Sequence, residues 1–230
     1  IVRRADANML ATYTTMIAAL DGGEVRERDG MLIICAGVPI AQFNWAFVTR
    51  PLVDPQRQIG DAIAYFDDRA LPFIVRLREG VDAAAERAAE ALGLPYNDTV
   101  PGMVLTDMGA QSPSPEGLDI RGAATRAEFD EHVETLALGF DMPLSSARAF
   151  LSPRTLAIPD LRFYTGYADN VPVATSALFL SHRTAGIYNV STHPDHRGRG
   201  IGEAMTRRCV RDGAAAGCLI ASLQASEMGK

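Results

Sequence analysis

The sequence predicts an α/β chain, an α+β arrangement of mixed sheets, and three observations lead to it. Short apolar or β-branched runs alternate with amphipathic stretches of helical spacing along the whole length. A connector at residues 109–117, GAQSPSPEG, places two Ser-Pro steps between flanking glycines and separates two parts of similar size. Towards the C-terminus a strand runs into a glycine-rich loop and directly into a helix. The organisation read from this is a first domain at residues 1–108, a linker at 109–117 and a second domain at 118–230.

In the first part, residues 9–20 predict a helix and residues 31–35 an apolar strand. Residues 31–48 carry no charged side chain, a length that approaches a membrane span. Gly37 and Pro39 interrupt the run, and Gln42 and Asn44 follow among apolar residues, so it reads as two buried strands about a turn. Residues 58–68 predict a helix and residues 73–77 a strand. Val81, Ala85, Ala88, Ala89 and Leu92 then recur at helical spacing, with Gly93 as a stop signal. Residues 103–106 read as the strand that closes this part.

In the second part, residues 118–121 read as a short strand. Thr125 and Glu128 form a capping-box pattern, and Phe129, Val133, Leu136 and Phe140 share one helical face behind it. Residues 143–150 predict another helix. Strands follow at 161–168, 171–180 and 186–190, the first two joined by Asp169-Asn170, a tight-turn pair. A helix over 200–215 and a strand over 218–224 complete the order.

Apolar residues make up 47% and charged residues 22% of the chain, the balance of a globular protein with a substantial core. A net charge of −6 argues against a nucleic-acid partner, because affinity for phosphate backbones rests on Lys and Arg. No signal-peptide pattern opens the chain, and the few scattered cysteines favour a reduced setting, so a cytoplasmic protein without a membrane partner is expected. Cys35, Cys209 and Cys218 are too few and too scattered for a disulfide framework or a zinc cluster, so no metal is expected.

Residues 190–202, VSTHPDHRGRGIG, carry the chemistry. Gly198, Gly200 and Gly202 leave their backbone amides uncovered by side chains, and Ile201, Met205 and Cys209 mark one face of the helix that follows. Amides at a helix N-terminus lack intrahelical partners and point outward, which suits a phosphate or pyrophosphate. The helix dipole contributes only roughly 0.3–1 kcal/mol, so direct amide hydrogen bonds must supply most of the binding. A dinucleotide fingerprint would need glycine where Glu203 stands, and a nucleoside-triphosphate loop would need a Gly-Lys-Ser/Thr step that the sequence lacks.

Arg197-x-x-Gly200-x-Gly202, with Val190 and Pro194 before it and a helix after it, resembles the acyl-CoA signature of the GNAT superfamily of N-acetyltransferases, (Gln/Arg)-x-x-Gly-x-(Gly/Ala). The order of elements over residues 118–224 resembles that family as well. The resemblance implies a GNAT-like acyl-CoA N-acyltransferase fold with acetyl-CoA as co-substrate. It implies that Arg197, Gly198, Arg199, Gly200, Ile201 and Gly202 hold the CoA pyrophosphate, chiefly through backbone amides. The backbone of Val190, Ser191 and Thr192 would pair with the pantetheine arm. An amide at or beside Val190 would face the thioester carbonyl, where negative charge develops during attack. Arg207, Arg208 and Arg211 add to the basic character of the region, either as phosphate partners or as a solvated helix face.

The implied reaction is direct attack by a primary amine, on a small molecule or a peptide, on acetyl-CoA. The alternative is a non-catalytic acyl-CoA-binding module with a regulatory or partner-binding role. Many family members place a glutamate where Gly186 stands here, and no carboxylate lies between Leu180 and Pro194. Tyr188, His182 and His193 are the polar groups left, and Tyr188 is retained as a catalytic candidate.

In the first part, Ile59-Gly60-Asp61-Ala62 resembles Ile201-Gly202-Glu203-Ala204, with Pro55, Gln56 and Gln58 in the places of Arg197, Gly198 and Gly200. This part is therefore read as a degenerate GNAT-like half without a cofactor loop, an unrelated α/β packing domain being the alternative. The chain opens at Ile1 rather than Met, and residues 225–230 resemble the approach to the helix that carries the family's usual tyrosine acid, so a longer native chain is expected. A sheet ending at residues 218–224 would expose a strand edge. A native tail is the preferred cover, ahead of the 103–106 strand or a second copy in a homodimer.

Overall fold

A computed structural model describes residues 1–109 and 114–225. The chain forms two compact units, one of residues 1–13 together with those from 100 onward, the other of residues 14–99. This differs from the predicted division at 109–117. The polypeptide changes unit inside its first helix, α1 (Val2–Ala18), and again at residues 99–100. Residues 110–113 of the predicted linker, and 226–230 of the expected helix approach, lie outside the described residues.

The unit of residues 14–99 contains β1 (Glu24–Arg28), β2 (Met31–Cys35), β3 (Asn44–Val48), α2 (Pro55–Asp67), β4 (Ile74–Arg76) and α3 (Ala83–Ala91). The sheet order is β1-β2-β3-β4, with β1, β2 and β3 antiparallel in sequence and β4 parallel to β3. The uncharged run over 31–48 is the pair β2 and β3, as expected. Buried Asn44 fixes the turn between them: its Nδ2 donates to Val38 O at 2.8 Å and Pro72 O at 2.9 Å, and its Oδ1 accepts from Ala36 N–H at 3.1 Å. Ile59, Ala62 and Phe66 of α2 and Ala85, Ala88 and Ala89 of α3 bury against Met31, Cys35, Ala46 and Val48.

The other unit holds β5 (Gly102–Leu105), β6 (Leu118–Gly122), α4 (Arg126–Gly139), α5 (Leu144–Phe150), β7 (Leu161–Ala168), β8 (Val171–Ser181), β9 (Thr184–Thr192), α6 (Ile201–Ala215) and β10 (Ile220–Gln224). Its six-stranded sheet runs β5-β10-β9-β8-β7-β6, antiparallel except for the pair β9 and β10. The 103–106 strand therefore does not close the first part. As β5 it pairs along β10, from Gly102 against Gln224 to Leu105 against Ala221, and covers the edge for which a tail was preferred.

Ile201, Met205, Cys209 and Val210 of α6 bury against Val173, Leu178, Ala185, Ile187 and Ala221 on one face of this sheet. Gly213 brings α6 down onto β9, since a Cβ there would overlap the Ala185 side chain. Phe129 and His132 of α4 meet the ring of Phe163, which points to the other face. The capping box forms as expected: Thr125 Oγ1 accepts from Glu128 N–H, and the Glu128 carboxylate accepts from Thr125 N–H at 2.8 Å. Phe140 departs from the predicted buried face. It is the C-cap of α4 and remains 38% exposed.

Both sheets follow one plan. In β1-β2-β3-α2-β4 and in β7-β8-β9-α6-β10, three antiparallel strands lead through a helix to a fourth strand parallel to the third.

Candidate functional site

The β9 and β10 strands pair over three positions only, Thr184 with Ile220, Ala185 with Ala221 and Gly186 with Ser222. Beyond them β9 continues to Thr192 along β8, while β10 continues to Gln224 along β5. The middle of the sheet thus opens. From residue 187 onward β9 presents a row of backbone groups on the side where β10 has left it, the hydrogen-bonding pattern of a free strand edge.

A bulge lies along the same stretch. Tyr188 faces Ala177 and Ser191 faces Thr175, so Asn189 and Val190 together stand opposite Ser176. Asn189 takes a left-handed conformation, φ +55°, in which the extra residue of a bulge loses its ladder partner. Thr175 braces the turn: its Oγ1 donates to Asn189 O at 2.8 Å and lies 2.8 Å from Ser191 Oγ. Two buried polar atoms here, Asn189 Nδ2 and Ser222 Oγ, have no partner among the described residues. Leaving such a group unpaired costs about 1–3 kcal/mol. The opening therefore suits a polar ligand that pairs with backbone and side chain alike.

After β9, a short 3-10 turn over Pro194–His196 leads into the glycine loop. Gly198 and Gly200 have φ of +73° and +74°, and Gly200 is the N-cap of α6 without any side-chain cap. The helix ladder begins with Ala204 N–H donating to Gly200 O at 3.1 Å, so the amides just before it have no intrahelical acceptor. Among the described residues, a Cβ on Gly198 would meet no atom within 4 Å, and one on Gly200 only Pro115 Cγ at 3.7 Å. The described residues thus leave space over uncapped amides, the setting an anionic group needs.

Residues 130–228 match the model of the Acetyltransferase (GNAT) family. This segment is a GNAT acetyltransferase domain. The match takes in the bulge, the glycine loop and α6, and leaves α1, β5 and β6 outside it. A GCN5-related N-acetyltransferase from Kribbella flavida is similar in fold, with a TM-score of 0.69 at 17% identity, over 95% of this chain and 85% of that one. A GCN5-related N-acetyltransferase from Sphaerobacter thermophilus gives 0.60 at 16% identity, over 87% and 70%. No curated protein matches the chain by sequence.

Within the GNAT domain, Arg197 differs from its expected role. Its guanidinium folds back onto the backbone, Nε donating to Thr192 O at 3.2 Å and Nη2 to Gly139 O at 2.9 Å. The side chain thereby ties the loop to the end of β9 and to the C-terminus of α4. Arg199 Nη2 likewise donates to a loop carbonyl, Asp195 O, at 3.0 Å. Arg208 is structural: it donates to Asp212 at 2.9 Å and to Ile120 O at 2.8 Å, with its guanidinium over the Tyr164 ring. Burial pushes the Asp212 carboxyl upward, but hydrogen bonds from Arg208 and Tyr164 outweigh it and hold the group below the usual carboxylate range. Arg207 lies 3.6 Å from Glu203 and Arg211 3.7 Å from Asp212.

Tyr188 is buried, and its hydroxyl donates to Asn8 Oδ1 at 2.8 Å. Burial raises its pKa well above the ordinary phenol value. With its proton committed to Asn8, this hydroxyl is a clamp, and we assign it no catalytic role. Asn8, which sequence reasoning missed, is fully buried on α1 and donates to Phe179 O at 3.0 Å, Ser181 Oγ at 2.9 Å and Thr184 O at 3.2 Å. His193 Nδ1 accepts from Asp195 N–H at 3.3 Å and caps the loop turn, while His182 sits exposed in the β8–β9 hairpin. Among the described residues no group of three or more His, Cys, Asp or Glu is placed to hold a metal, and no helix is long and apolar enough to cross a membrane.

Proposed function

We propose that the chain transfers an acetyl group from acetyl-CoA to a primary amine of a small molecule or peptide. The observation that carries this reading is the divergence of β9 from β10 beside a braced bulge, continuous with uncapped amides at the start of α6. Acetyl-CoA supplies an activated thioester: the amine nitrogen bonds to the carbonyl carbon, the C–S bond breaks, the sulfur leaves as the CoA thiol and the nitrogen gives up a proton.

The chain's part is chiefly positional. The amides of residues 198–202 take the pyrophosphate charge, and the free edge at Val190, Ser191 and Thr192 aligns the pantetheine arm as an added strand. The Val190 amide, held by the bulge, faces the carbonyl oxygen where charge develops, a contribution worth about 100-fold or more in rate for one donor. No carboxylate lies between Leu180 and Pro194, so the amine must arrive deprotonated or lose its proton to solvent. The free thiols of Cys35, Cys209 and Cys218 fit a reducing cytoplasm.

A second reading, a non-catalytic acyl-CoA-binding module, draws support from the commitment of Tyr188 to Asn8. An assay of free CoA thiol with acetyl-CoA and a panel of amines (polyamines, aminoglycosides, peptides with free N-termini) separates the two. Amine-dependent thiol release supports the enzyme. Saturable acetyl-CoA binding without release for any amine supports the module, and absence of binding removes both.

A further inference from the structure

We propose that the Asn189 carboxamide is a second hydrogen-bond donor to the acyl carbonyl, beside the Val190 amide. The proposal rests on the acyl-CoA reading above and names a residue that reading does not use.

Three observations converge on Asn189. Its Nδ2 is buried and has no partner among the described residues, although protein folds pair nearly all buried donors. Its backbone is pinned, in the left-handed region at φ +55° and with its carbonyl held by Thr175 Oγ1 at 2.8 Å. It stands where β9 no longer has β10 beside it and shares its bulge with Val190. The neighbouring polar side chains are committed within the protein, Tyr188 to Asn8 and Ser191 to Thr175. Asn189 therefore combines a pinned backbone in the bulge with a buried donor that the described residues leave unused, which a side-chain rotation would turn towards a carbonyl held beside Val190. A neutral amide suits the task, because it can stabilise charge on an oxygen without giving up its proton.

The test is calorimetric and needs no acceptor. The full chain is titrated with CoA and with the unreactive ketone analogue of acetyl-CoA in which a methylene replaces the thioester sulfur. Asn189→Gly keeps the positive φ available and removes the donor. Loss of one hydrogen bond predicts about tenfold weaker binding of the ketone, with CoA affinity within about twofold of the parent. The carbonyl stretch of the bound, 13C-labelled ketone should rise in frequency in the variant. Asn189→Asp, of nearly the same shape and also tolerant of this φ, should repeat the discrimination and stands in if Asn189→Gly fails to fold. Equal weakening of both ligands would assign Asn189 a purely structural role and overturn the proposal, as would unchanged binding of both. Failure of the parent chain to bind CoA at all would remove the acyl-CoA reading and this inference with it.

Discussion

Asn8 and Gly186 interlock: a Cβ on Gly186 would overlap the Asn8 carboxamide, with Asn8 Cγ 2.8 Å away. A residue outside the family match thus fills the space over the strand that carries the bulge, and only glycine admits it there. Gly186→Ala should destabilise the protein by about 1–3 kcal/mol through overpacking. In an Asn8→Ala background the same substitution should cost less, with a coupling of about 1 kcal/mol or more in a urea-denaturation cycle. Strictly additive effects would show that the two side-chain positions do not compete for one space.

Gly200→Val should abolish CoA binding while leaving the fold intact. Gly200 has φ +74°, where a β-branched residue is strained, and its Cβ would enter the open space above the α6 amides. Loss of two amide-to-phosphate bonds, each about 1.5–3 kcal/mol, predicts an affinity lower by about 100-fold or more. Circular dichroism and titration of the purified variant check both halves of the statement. A folded variant with parental affinity would place the pyrophosphate elsewhere.

His132 gives the GNAT domain an acid-sensitive point. Burial lowers its pKa from 6.5 to about 4, and its Nε2 has no partner among the described residues. Below the unfolded value the unfolded chain gains a proton that the folded chain refuses until about pH 4. Stability should therefore fall as pH drops through this window, by about 3 kcal/mol in all. Urea midpoints between pH 4.5 and 7.5 measure the slope. His132→Gln should flatten it by close to one proton, and an unchanged slope would contradict this account.

Most of the fold was legible because its signals are local. The capping box at Thr125 and Glu128, the Asp169-Asn170 turn and the apolar runs of β2, β7 and β8 are all read within a few residues. β1, with sequence EVRER, was missed because it has no apolar alternation, although Asp29-Gly30, both at positive φ, is a hairpin signal. The glycine loop was legible for the same local reason. Membership of β5 in the larger sheet was not, since pairing of residues 102–105 with 221–224 is a long-range choice. Asn8 and Tyr188 lie 180 positions apart, and no spacing rule connects them. The attachment of Arg197 to the backbone escaped notice because its acceptors are carbonyls, which side-chain patterns do not reveal.

The proposed function places acyl-CoA in one of two similarly built halves, and the starts of α2 and α6 set them apart. The N-cap of α2 is Asp54, whose carboxylate accepts from Arg57 N–H at 3.2 Å and sets a negative charge where a phosphate would approach. Gly200 leaves the start of α6 uncapped. Calorimetric titration of the full chain with acetyl-CoA distinguishes them. It should show one site per chain, lost in Gly200→Val and retained in Asp54→Gly. Two sites per chain, or one site indifferent to Gly200→Val, would contradict it.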